Sequence, residues 1–189
     1  PYAHLNTKYT YYIYRMRILI VNTSERTGGA AVAAGRLVSA LNNSGVQARM
    51  LVRDKQTTNP VVVALPKGVR NRWRFLWERW TILWHLHFKR HNLFAIDVAN
   101  TGADITSLRE FKQADVIHLS WINQGMLSLS TIRKIVNSGK PVVWTMHDIW
   151  PATAICHLTL GCNNFKQQCR RCKYLPGGGG DNDLSAKVW

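Results

Sequence analysis

The feature that most constrains this chain is the alternation of short apolar runs with stretches of helical period. "RILIVN" (17–22) is a continuous apolar run of the kind buried on both faces of a parallel sheet. After the loop "TSERTGG", the segment "AAVAAGRLVSALNNSG" places Val32, Leu37, Val38 and Leu41 at helical spacing and stops at Gly45. "VQARMLV" (46–52) and "VVVAL" (61–65) read as the next two strands. The same order returns in "ADVIHLSW" (114–121), "SLSTIRKIVNSG" (128–139) and "PVVWTMHD" (141–148). Strands alternating with helices of this length predict an α/β fold, a Rossmann-like parallel sheet with helices on both faces.

Between the two halves lies "KGVRNRWRFLWERWTILWHLHFKRHNLF" (67–94), where Trp73, Trp77, Trp80 and Trp84 recur at helical steps and so share one helix face with Leu76 and Leu83. Arg70, Arg72, Arg74 and Arg79 precede or flank that face, and Lys89 and Arg90 follow it. Two readings stand side by side. One is a helix lying in a membrane interface, with indoles at headgroup depth and cations on anionic lipid; the other is an aromatic stripe packed on the sheet.

Charge narrows the partners. With 25 Lys and Arg against 10 Asp and Glu, the net charge of +15 favours phosphates, nucleic acid or anionic headgroups. No apolar window is long enough to span a bilayer and no secretory signal pattern opens the chain, so a cytoplasmic location is expected, peripheral on the cytosolic face of an inner membrane where 67–94 makes contact.

Ligands of open parallel sheets bind beyond the carboxyl ends of the strands, where loops converge and helix N-termini point inward. Three features are expected on that edge. Gly28 and Gly29 precede the first helix and would let a backbone approach a phosphate. His118 and Trp121 close the "ADVIHLSW" strand, and His147 with Asp148 forms the polar end of "PVVWTMHD". An imidazole there can hydrogen-bond a sugar hydroxyl or a phosphate. Each has a plainer reading as turn, core or cap.

The cysteines then follow within seventeen residues as Cys156, Cys162, Cys169 and Cys172, spaced C-x5-C-x6-C-x2-C with His157 beside the first. Only the last pair forms the knuckle that zinc sites favour. Structural zinc, disulfides and reduced thiols all remain open, with Lys166, Arg170, Arg171 and Lys173 expected to lower the thiol pKa values.

At "HDIWPATAICHLTLGCNNFKQQCRRC", taken with "TSERTGGAAVAAGRLVSAL" and "ADVIHLSWINQGMLSL", the chain resembles the N-terminal half of family 4 retaining glycosyltransferases of GT-B fold, within a bacterial surface-polysaccharide branch. The resemblance runs from about Met16 to Leu175, with Ala and Ile in "PATAICH" where the family is expected to carry glycines. It implies an acceptor-side domain that works with a nucleotide-diphosphate sugar as donor, a glycan or lipid-linked acceptor, and no catalytic metal. It places Gly28 and Gly29 near the donor diphosphate, His147 near the transferred sugar as the catalytic contact, and the loop after Asp148 near the acceptor. Residues 1–15 are then read as a non-native or flexible extension, 16–175 as the domain with a cysteine-rich loop at 150–175, and 176–189 as a flexible Gly-rich tail before a missing donor half. The fragment is expected to be inactive alone.

The rival reading is a basic, zinc-containing nucleic-acid-binding domain gripping through Lys, Arg and Trp. The basic residues are spread along the chain and no base-stacking sheet motif is visible, so no nucleic acid is expected.

Overall fold

A computed structural model describes residues 16–66 and 68–189; the expected N-terminal extension lies outside the described residues. The chain divides into two compact units. Of the described residues, the first comprises 16–66 together with 103–122 and 130–145; the second comprises 68–102, 123–129 and 146–189.

The first unit holds a five-stranded sheet, β1 (Arg17–Ser24), β2 (Gln47–Asp54), β3 (Val62–Ala64), β4 (Val116–Leu119) and β5 (Val142–Trp144), in the order β3-β2-β1-β4-β5. Every pairing is parallel, and the sheet is flanked by helices in the α/β, Rossmann-like arrangement that the alternation predicts. β1 is central because Leu19, Ile20 and Val21 are apolar without interruption and can be buried on both faces, each contributing about 1.5–3 kcal/mol. β5 is an edge strand of three residues whose Val143 is exposed, so the run "PVVWTMHD" is a strand only over its first half.

Helix α1 (Gly29–Asn43) follows β1. It buries Ala31, Ala34 and Val38, of which Ala34 and Val38 pack with Ile20, Ala48, Met50 and Val52. Val32 is exposed, contrary to the sequence reading, because the two alanines allow the close approach to the sheet and turn Val32 away. The short α3 (Arg109–Gln113) buries Phe111, and α4 (Leu129–Val136), all but its first residue in this unit, buries Thr131, Ile132 and Ile135.

The second unit contains α2 (Val69–His85), three short 3-10 turns and α5 (Leu184–Val188). Its core gathers Ile82, Leu86, Ile96, Val98, Ile155, Cys169, Cys172, Tyr174 and Leu184. Residues 176–189 are therefore not a loose tail: Leu184 is buried in this core, and Asp183 caps α5 by accepting from Ala186 N–H while also accepting from Cys172 N–H at 2.8 Å. Ala154 and Ile155 are buried too, so the side chains that replace expected glycines are used in packing.

Candidate functional site

In the first unit, the carboxyl ends of β1, β2 and β4 are tied together by polar side chains. Asn22 is buried: its Nδ2 donates to the Ser24 carbonyl at 2.7 Å and its Oδ1 accepts from Trp121 N–H at 2.9 Å. The Trp121 carbonyl accepts from both the N–H and the hydroxyl of Thr23, at 2.8 and 3.0 Å. Trp121 is thus latched to β1 through its backbone. Glu25 accepts from Thr57 N–H at 2.8 Å and from the Thr57 hydroxyl; burial opposes its charge, but these bonds hold its carboxyl below the ordinary range.

These ties fix the loop that carries Gly28 and Gly29. Gly28 has φ +88°, a region that favours glycine, and stands as the N-cap of α1. A Cβ built on either glycine meets nothing within 4 Å, so the space beside the helix N-terminus is open. Among the described residues no packing requires a glycine at 29, whose φ is ordinary. An uncapped helix N-terminus with open space beside it suits an anion.

His118 lies on β4, nearly buried, with Nε2 2.7 Å from the Thr145 hydroxyl. It joins β4 to the residue after β5, which is the plainer of its two readings.

His147, Asp148 and the cysteines belong to the second unit. β5 ends at Trp144, so His147 stands on a loop beyond the strand and is exposed. Asp148 is engaged within its own unit: Oδ1 accepts from Trp150 N–H at 2.9 Å, and Oδ2 lies 2.7 Å from His157 Nδ1. The other ring nitrogen of His157 lies 2.7 Å from Oδ2 of Asp97, a carboxylate only 1% exposed. Asp97 also pairs with Arg79, and Arg79 lies 3.7 Å from Glu78, which is fully buried. Burial pushes the Glu78 carboxyl up, against the pull of Arg79 and of backbone donors including Ala99 and Val98. A short antiparallel bridge between Ile96 and Cys156 sets Asp97 and His157 in register, and the Trp150 indole donates to the Asp97 carbonyl at 2.9 Å.

This buried ionic chain is the part that sequence reasoning missed. Its signal was present in "NLFAIDVAN", where a lone acid interrupts an apolar run, and in His157 beside Cys156. A second missed element is Asn22, the polar residue that follows the apolar run of β1.

Cys156, Cys162, Cys169 and Cys172 line one small cavity of the second unit together with Tyr174 and Phe165. All four are free thiols. Burial pushes Cys156 and Cys169 up and Cys172 up to about 11, so at these three the expected lowering by neighbouring cations does not occur. Arg170 and Arg171 are exposed and pair with Asp181 instead, leaving desolvation as the largest influence. Among the described residues, no three His, Cys, Asp or Glu side chains are grouped to hold a metal ion.

No family model and no solved structure matches the chain. Over 63 residues it is 36% identical to an Escherichia coli (strain K12) protein named "Putative colanic acid biosynthesis glycosyl transferase WcaC". The matched segment is 32% of this chain and 15% of that protein. A glycosyltransferase relationship is what this similarity supports.

Proposed function

We propose that the chain is the acceptor-side domain of a retaining, family 4 glycosyltransferase of GT-B type. It would work at the cytosolic face of a membrane on a glycan or lipid-linked acceptor. In the reaction the acceptor hydroxyl bonds to the anomeric carbon as the bond from that carbon to the nucleoside diphosphate breaks. The hydroxyl proton leaves with the departing phosphate or passes to solvent. Little covalent work falls to the protein, whose part is to position the acceptor and stabilise charge on the leaving diphosphate.

The observation that carries this reading is the partial identity to a glycosyl transferase, on a chain whose parallel sheet leads through a glycine pair into α1. In this reading the open N-terminus of α1 meets the diphosphate and His147 meets the transferred sugar. Asp148 keeps the loop in place through His157.

Ligand-observed NMR with uridine and guanosine diphosphates tests the phosphate contact on the 189-residue chain. Weak saturable binding that Gly29→Val reduces is expected. Absence of any nucleotide contact, with steeply salt-dependent binding of single-stranded DNA, would favour the nucleic-acid reading instead.

A further inference from the structure

Helix α2 is amphipathic in reverse. The face it buries carries Glu78, Arg79 and Ile82, continued by Leu86 just past its end, while its aromatic face points outward. Trp73, Leu76, Trp77, Trp80, Trp84 and Phe88 are each between 52% and 64% exposed, and Phe94 is exposed beside them. The rings support one another at the surface: Phe88 packs edge-on against Trp80 and Trp84 at 5.9 and 5.8 Å. Trp73, Trp77, Trp80, Leu83 and Leu93 line a shallow, almost wholly apolar groove along the helix. Soluble surfaces seldom leave so many large apolar side chains contiguous.

Apart from one buried carboxylate, the formal charge along the segment that carries this face has one sign. The one acidic residue between Lys67 and Ile96 is Glu78, and it is buried. Arg72, Lys89 and Arg90 are exposed at the two ends of the aromatic face. A second copy of a chain carrying +15 would bring like charge against like charge at that rim. Among the described residues no helix is long and apolar enough to cross a membrane, and α2, at about 25 Å, would lie along a surface.

We propose that α2 and the turn after it form a ledge that docks on an anionic lipid bilayer. The indoles and Phe88 enter the headgroup and acyl boundary, and Arg72, Lys89 and Arg90 meet lipid phosphates. This docking stands independently of the glycosyl-transfer reading. The geometry concerns the second unit alone.

Flotation of the 189-residue chain tests it, with vesicles of phosphatidylcholine alone and of phosphatidylcholine containing about one quarter phosphatidylglycerol. Capture by the anionic vesicles is expected to exceed capture by neutral ones by at least about tenfold and to fall with added salt. Brominated acyl chains should quench tryptophan fluorescence in the bound state. The double variant Trp77→Glu, Trp80→Glu changes only exposed side chains, so it should keep the native circular dichroism and melting while losing capture. The proposal is overturned by a folded chain that anionic vesicles do not retain, or by a folded double variant captured as well as the parent. It is also overturned if the double substitution abolishes self-association or oligonucleotide binding while vesicles bind neither protein.

Discussion

The Nδ1 of His157 lies 2.7 Å from Oδ2 of Asp148, and this contact ties the loop that begins at His147 to the buried pair of Asp97 and Arg79. A ring whose two nitrogens both face carboxylates is a structural clasp. His157→Ala removes two contacts and leaves the Asp97 carboxylate in the interior with fewer partners. It should cost about 1–3 kcal/mol of stability, read from chemical denaturation. His147→Ala, at an exposed loop position, should leave the melting temperature within experimental scatter. The reverse pattern would assign the structural part to His147.

A Cβ on Gly102 would stand 2.1 Å from Ser128 N and 2.2 Å from the Leu127 carbonyl carbon. Two backbone segments cross there with no room for a methyl group. Gly102→Ala should destabilise the protein by about 1–3 kcal/mol, whereas Gly29→Ala, with open space around it, should be nearly neutral for folding. Urea midpoints of the two variants decide between this and a merely loose loop at 102.

Asp104 accepts from Lys134 at 2.6 Å and from the Thr106 hydroxyl, and these bonds hold its carboxyl down to about 2. A carboxyl depressed in the folded state contributes stability above its ordinary value of 3.8, and that contribution is lost as pH falls toward about 2. Both side chains are well exposed, so solvent screening keeps the contribution below about 1 kcal/mol. Asp104→Asn should therefore lower stability slightly at neutral pH, and the difference from the parent should vanish below about pH 2. A difference that grew on acidification would contradict the assignment.

Three of the cavity thiols are held protonated by burial, Cys172 most of all. Alkylation by iodoacetamide at pH 7 should be slow at these positions, and Cys172 should gain reactivity only as the pH approaches about 11. Peptide mapping gives the site-resolved rates, and metal analysis of the same preparation tests the zinc expectation. One zinc per chain would show that the thiols serve as ligands.

The sheet was legible because its signals are local. Apolar runs of strand length alternate with helical periods, and burial on both faces of β1 follows from the uninterrupted "ILIV". Two boundaries were not legible. His147 looked like the end of a strand, yet pairing stops at Trp144, because Val143 and its neighbours form an edge with one partner. Residues 184–188 looked like part of a tail, yet one buried leucine and an aspartate cap suffice to build a short helix.

In α2 the tryptophan period was plain, but period alone does not say which face turns inward. That choice rests on Glu78 and Arg79 finding Val98, Ala99 and Asp97, 18 to 21 sequence positions away. The thiol acidity was misjudged for a related reason. Nearby cations count only if they face the sulfur, and Arg171 faces Asp181.

Sugar transfer is the most direct measurement. A protein carrying this chain with a donor-binding half, incubated with radiolabelled nucleotide sugars and membrane extract, should label a glycan or glycolipid. His147→Ala in that protein should remain folded and slow the transfer by about thirty to a thousand fold, the equivalent of roughly 2–4 kcal/mol of lost transition-state contact. Transfer at the parent rate by the folded His147→Ala variant, or no labelled product from any donor, would contradict the account.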